Sequence, residues 1–226
     1  MDVQMSRNGG CARVLARVLS GVFVATTASA AFADPFVPVT DERQIFVTAE
    51  AGNGFQTFTF MPGFSFDSWN WSWSAFAEDS FGQGQSFSAA SQASSIQANG
   101  ITTTGQASAQ PNPNFGSCNS AQGRSRTQIV FDVTTRGQYS IQATLSETNQ
   151  FQSVKVEIRQ GTTPIVTIAG ATGGPTTRTG ILQPGRYTFE ATADVSLFAC
   201  EAAFADAQFQ VNFNMTDAPC ESDFTG

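Results

Sequence analysis

Histidine is absent from this chain of 226 residues. That excludes Ser-His-Asp and Cys-His nucleophilic catalysis, and any metal site built on imidazole. Lysine occurs once, at Lys155, and charged residues make up only 13% of the sequence. The cysteines, Cys11, Cys118, Cys200 and Cys220, lack C-x-x-C spacing and so do not describe a zinc cluster. No glycine loop has the form that cradles phosphate, since Gly170 to Gly174 contains no lysine and opens no helix. Asp and Glu are scattered rather than gathered into an EF-type loop. No cofactor or metal is therefore expected. Helical spacing is also missing over any useful length after the N-terminal 33 residues.

What is present begins with an export signature. Arg7, Arg13 and Arg17 accompany a short apolar run from Val18 to Ala33, and both Ala28-Ser29-Ala30 and Ala31-Phe32-Ala33 fit the small-x-small cleavage rule. The sequence predicts a cleaved signal peptide over 1–33, with Asp34-Pro35 as the mature start. The protein is then secreted, extracellular or periplasmic. The apolar run is short for a bilayer span, so no membrane anchor is expected after cleavage. The remaining 193 residues, 34–226, suit a single domain. They hold 8 basic and 17 acidic residues, a net charge of −9, which matches neither nucleic acid nor anionic lipid. Export favours one disulfide among Cys118, Cys200 and Cys220, and three pairings are open. If the strand after Cys118 pairs with the last strand, Cys118 lies near Cys220; Cys200 also sits at a loop edge.

Thr179 to Ala191 has the most legible geometry. Pro184-Gly185 is a turn pair, and beyond it Tyr187, Phe189 and Ala191 alternate with Arg186, Thr188 and Glu190, as in a half-buried strand. Leu182 and Tyr187 bracket this turn like a tyrosine corner between two packed sheets. The same period of two appears at Ile129, Phe131 and Val133; at Tyr139, Ile141, Ala143 and Leu145; at Val154, Val156 and Ile158; and at Phe209, Val211, Phe213 and Met215. Residues 34–43 read as an extended arm, 44–50 as a first strand, and 111–123 as a loop rich in Asn, Pro and Gly. Between Gly82 and Gln110 the composition turns to Ser, Ala, Gln, Gly and Thr. A mobile low-complexity loop competes there with a hairpin whose type I′ turn is Asn99-Gly100, and the turn chemistry favours the hairpin. The fold class expected is all-β: a two-sheet antiparallel β-sandwich or jelly roll of about ten strands.

Trp69, Trp71 and Trp73 alternate with Ser68, Asn70, Ser72 and Ser74. A row of flat rings on one sheet face could stack against sugars, which makes these three the candidate ligand-binding residues and polysaccharide a candidate partner. Alternation with small polar residues instead favours burial, because an exposed stripe of this size would be an unusual apolar patch. Glu78-Asp79, Asp132, Glu147, Glu190, Asp194 and Glu201 could furnish an acid/base pair of the glycosidase kind, but no pair is marked out, and no catalytic residue is assigned.

The Ser/Ala/Gln tract through Ala98-Asn99-Gly100-Ile101, the run Ile129-Val130-Phe131-Asp132-Val133, Tyr139-Ser140-Ile141, and Leu182-Gln183-Pro184-Gly185-Arg186-Tyr187 resemble a loose group of uncharacterised secreted bacterial β-sandwich proteins. Many members carry a C-terminal sorting tail of the PEP-CTERM type. Residues 216–226 depart from that pattern, having neither an apolar span nor a basic end. The second half is also similar to bacterial pre-peptidase C-terminal domains, which are non-catalytic jelly-roll accessories. Neither resemblance supplies catalytic residues, and the first expectation is an exported, non-enzymatic protein with a structural or adhesive role in the cell envelope or extracellular matrix. The alternatives are a carbohydrate-binding module that uses the aromatic strand and, more distantly, a glycoside-active enzyme.

Overall fold

The computed structural model describes residues 34–61, 66–80, 82, 84–113, 117–148 and 152–218. The expected signal peptide, Cys11 and Cys220 lie outside the described residues. Twelve strands follow in order: β1 (Phe36–Ala51), β2 (Gly54–Phe60), β3 (Trp69–Glu78), β4 (Gln85–Gln97), β5 (Gly100–Asn112), β6 (Asn119–Val133), β7 (Gly137–Glu147), β8 (Gln152–Gln160), β9 (Thr163–Ala169), β10 (Thr176–Leu182), β11 (Gly185–Ala199) and β12 (Ala205–Asp217). They form two six-stranded antiparallel sheets, β2-β1-β6-β11-β8-β9 (sheet 1) and β10-β7-β12-β5-β4-β3 (sheet 2).

The pairs β5/β12, β6/β11, β7/β10 and β8/β9 nest around the β8–β9 hairpin. This is a long antiparallel ribbon folded over on itself, which is jelly-roll connectivity. The hairpin β1–β2 widens sheet 1 beside β6, and β3–β4 widens sheet 2 beside β5. The all-β sandwich expected from the alternation is the observed fold.

Alternation locates the core as well. Phe131 lies 4.9 Å from Phe36 and 5.5 Å from Phe213 by ring centroids, and Phe189 lies 6.0 Å from Phe213. All four rings are fully buried, where large aromatics contribute most of the burial energy. At the chain's crossing from sheet 2 to sheet 1, Tyr187 Oη donates to the Gln183 carbonyl at 2.9 Å. Gly185 takes a φ of 156°, open to glycine alone. The tyrosine corner is thus formed as the sequence implies.

Several boundaries differ from the sequence reading. The arm at 34–43 is the first part of β1, joined to the rest through an irregularity between Pro38 and Thr40. The supposed loop at 111–123 contains the end of β5 and the start of β6. The Ser/Ala/Gln tract is a hairpin, but its turn residues are Ala98 and Asn99, and Gln97 pairs with Gly100. No non-glycine residue described has positive φ, so the turn is not type I′. Gly100 is instead required by close approach, since a Cβ there would run into the Phe213 carbonyl oxygen.

The flank built from β1, β3, β4, β5 and β6 packs unlike the rest. Beside Ile45 and Val47 its interior is made of small residues, Ala49, Ala51, Ala75, Ala77 and Ala90 with Ser86 and Ser88. These small residues let the sheets come close: Ser88 Oγ donates to the Thr48 carbonyl at 2.9 Å and Ser86 Oγ to that of Ser120 at 2.6 Å. A Cβ on Gly123 of β6 would stand 2.8 Å from the Ala89 carbonyl oxygen. A buried polar belt separates this flank from the phenylalanine core. Arg43 and Asp41 on β1 form an ion pair, Arg43 Nε donating to Asp41 Oδ1 at 2.8 Å, and both side chains are nearly inaccessible. Beside Arg43 in the ladder, Thr127 shares a 2.8 Å hydrogen bond with Thr103 and accepts one from Gln92.

Candidate functional site

The tryptophan stripe occupies the inward phase of β3, together with Ala75 and Ala77. Because β3 is an edge strand, however, the stripe runs beyond the core, and Trp71 and Trp73 remain 40% and 44% exposed. The expectation that they form the core is thus corrected: they form a seam. Edge strand β2 of the opposite sheet presents Phe58 and Phe60 to them. Phe58 stacks on Trp73 at 4.3 Å, and Phe60 on Trp71 at 4.9 Å and Trp69 at 6.3 Å, with ring planes within 18° of parallel. The guanidinium of Arg43 caps the stack, 5.9 Å from the Trp69 ring, a cation–π contact. Gln56 Oε1 accepts from the Phe76 backbone N–H at 3.0 Å, tying the two edges without a backbone ladder. A sugar would have to displace a phenylalanine to reach those stacked ring faces.

The outward phase of sheet 2 was not singled out by the sequence. Register places Phe76, Phe87 and Gln110 side by side across β3, β4 and β5, with Phe204 next to them just before β12. Phe76 and Phe87 are 44% and 38% exposed, and among the described residues no ring stacks on either. The next rows across the sheet are Ser74, Ala89, Ser108 and Asp206, then Ser72, Ser91, Gln106, Gln208 and Ser146. A further row holds Asn70, Ala93, Thr104, Gln210 and Thr144. In these rows Asp206 is the one charged residue, and it is nearly buried. Gln106 Nε2 donates to its Oδ1 at 2.8 Å and Gln208 Nε2 to its Oδ2 at 2.6 Å. The carboxylate thereby fixes both amides, whose carbonyl oxygens and second N–H groups stay available.

A groove of about 530 Å³ lies over Ser72, Ser74, Ser91, Gln106 and Ser108, and Trp73, Ala89 and Ala90 complete its lining. A second, of about 270 Å³, continues over Thr104, Thr144, Gln208 and Gln210 and shares Ser91 and Gln106 with the first. Phe76 and Phe87 could have been noticed in the sequence only as aromatics out of phase with their neighbours, Phe87 lying between Ser86 and Ser88.

The outer face of sheet 1 has the opposite chemistry. Arg186 holds Asp132 in a two-pronged pair at 2.8 and 2.9 Å, and Arg124 Nε reaches Asp194 at 2.7 Å. Arg126 and Arg159 converge on Glu190 at 3.0 and 2.6 Å, and Lys155 meets Glu157 at 2.9 Å. Of the seven carboxylates considered for acid/base work, Asp132, Glu190 and Asp194 are therefore engaged as cross-strand partners. Asp79 Oδ2 accepts from the Gly84 N–H at 2.9 Å and closes its own loop.

Glu190 stands directly opposite Glu157 in the ladder, an arrangement destabilising for like charges unless cations intervene. Burial works to raise its carboxyl pKa, but the hydrogen bonds from Arg126 and Arg159 outweigh that and hold it below the ordinary 4.5. A lowered carboxyl contributes stability that is complete above 4.5 and is lost as pH falls through the folded value. Glu190→Gln is expected to cost about 1–2 kcal/mol at neutral pH, and the gap from wild type should close in acid denaturation series below pH 4.5. A gap that widens on acidification would contradict this assignment.

The pairing expected between Cys118 and Cys220 is not the one formed. Cys118 is joined to Cys200. The strand after Cys118 pairs with β1 and β11 rather than the last strand, and the Asn119–Ala199 register step brings Cys118 and Cys200 together. Among the described residues no cluster of His, Cys, Asp and Glu could hold a metal ion. No described helix is long and apolar enough to cross a membrane. Compared with known proteins, the chain matches no family model, and no curated protein is similar to it.

Proposed function

We propose that this is an exported, non-enzymatic β-sandwich with an adhesive or structural role in the cell envelope or extracellular matrix, and that it docks through the outer face of sheet 2. The observation that carries this reading is the chemical division between the two outer faces. On sheet 1 the charges are consumed by cross-strand pairs, a surface that stabilises itself. On sheet 2 the rows from β3 to β7 offer hydroxyls and amides, a groove and exposed phenylalanines, the mixture expected of a contact surface. The basic and apolar leader at 1–33 supports export.

The test is retention on washed envelope and matrix material. A Thr104→Arg/Gln210→Arg variant, altered only on sheet 2's outer face, is expected to lose at least tenfold in bound fraction. Arg124→Ala, altered on sheet 1, should bind as wild type does. Equal retention of both variants, or no retention of the wild-type protein, would overturn the reading.

A further inference from the structure

We infer that the ligand of this face is a neutral polysaccharide, lying across the strands with its sugar rings on Phe76 and Phe87 and its hydroxyls in the adjoining groove. This rests on the docking role given above and adds the class of ligand and the residues that read it.

The argument is one of chemical complementarity. A ligand for this groove must satisfy many uncharged donors and acceptors and bring no charge. Ser91, Gln106, Gln208 and Thr144 supply hydroxyls and amides, and Asp206 is already paired with both glutamines. An acidic polymer would meet no cation in these rows and a mature protein of net charge −9. A basic peptide would find one nearly buried carboxylate whose two oxygens are occupied. A purely apolar partner would leave the rows of hydroxyls unsatisfied. A neutral glycan is polar at its rim and apolar on its ring faces, so it fits both parts. Its C–H faces match the negative face of an aromatic ring, and its hydroxyls act as donor and acceptor, as do the serines and amides opposite them.

Geometry agrees with a chain running across the sheet. Strands stand about 4.8 Å apart, so the path from β3 to β7 covers roughly 19 Å, long enough for an oligosaccharide. Phe76 and Phe87 lie two residues along their strands from Ser74 and Ala89 at the groove, the next position on the same face, and together they make an apolar shelf along its side. Among the described residues no ring stacks on either phenylalanine, whereas Phe58 covers a face of Trp73 and Phe60 a face of Trp71. The aromatics assigned to the sugar are therefore the phenylalanines of the outward phase, beside Trp73, which reaches the groove's lining, while Trp69 and Trp71 stack on Phe60 in the seam.

The experiment is affinity electrophoresis of the mature protein in native gels cast with neutral glycans (dextran, β-glucan, galactomannan, xyloglucan) or acidic ones (alginate, polygalacturonate). At least one neutral glycan is expected to retard the protein. Phe76→Ala/Phe87→Ala should weaken that retardation tenfold or more with the circular dichroism spectrum unchanged, while Trp71→Ala should keep it. Retardation by acidic glycans only, by none of the panel, or equally in the phenylalanine variant would overturn the inference. Periodate treatment of the envelope material separates the two readings. Retention that survives it sinks the glycan assignment and leaves adhesion standing, and absence of retention on untreated material sinks adhesion itself.

Discussion

Replacing Cys118 and Cys200 together by serine is expected to destabilise the protein by about 4–5 kcal/mol and to lower its melting temperature by roughly 10–18 °C. The bond closes a loop with a sequence separation of 82 residues, so its absence returns a large conformational freedom to the unfolded chain. It is placed where the ladder cannot do the same work. The β6–β11 pairing ends at Asn119 and Ala199, and the bond holds the chain just beyond. Asn119 Nδ2 also donates to the Gln85 carbonyl of sheet 2 at 3.0 Å, so loosening this end frays an inter-sheet contact too. Thermal unfolding with and without reductant gives the measurement. A serine variant that melts with the wild type would show that the ladder alone holds this end.

The second large effect is expected at the buried ion pair. Asp41→Ala leaves Arg43 without its carboxylate between the sheets and should cost about 3–5 kcal/mol. Burial raises the Asp41 carboxyl pKa more than Arg43's hydrogen bond and charge lower it. The pair is thus maintained against its own desolvation, and replacing both members by apolar residues of similar size, as in Asp41→Leu/Arg43→Met, should be far milder than the single change. Arg43 also donates to the Asp67 carbonyl at 2.9 Å and caps Trp69, so the single variant should red-shift and quench the tryptophan fluorescence of the seam. Urea unfolding of the three proteins decides it. A double variant as unstable as Asp41→Ala would mean that Arg43 is needed for the seam itself rather than merely paired.

The two outer faces explain why a small charge content is enough. The outer face of sheet 1 places most of its cations against a cross-strand carboxylate, which helps settle the register of β6, β11 and β8. Sheet 2 needs no such device, because its register is fixed by the inward phenylalanines of β12 and by close glycine contacts at Gly100 and Gly105. Its outer face is left open to present hydroxyls and amides.

Strand identity was legible wherever one face is large and apolar. Tyr187, Phe189 and Ala191, or Val154, Val156 and Ile158, announce their inward phase because only large side chains leave a period in the composition. The same pattern failed between Pro111 and Gly123, where the buried residues are Pro111, Asn119, Ala121 and Gly123. There the sheets are too close for larger groups, so real strands read as a loop.

By itself, then, the sequence determined the fold class, the corner at Pro184-Gly185 and the phase of the tryptophans, all properties of neighbours along one strand. Tertiary structure alone decided three other things: that the tryptophans close a seam instead of filling the core, that Cys118 meets Cys200, and that Phe76 and Phe87 share a face with the groove. Each depends on which strand lies beside or across from another. That choice is made by summed packing over two sheets, and no local period in the chain records it.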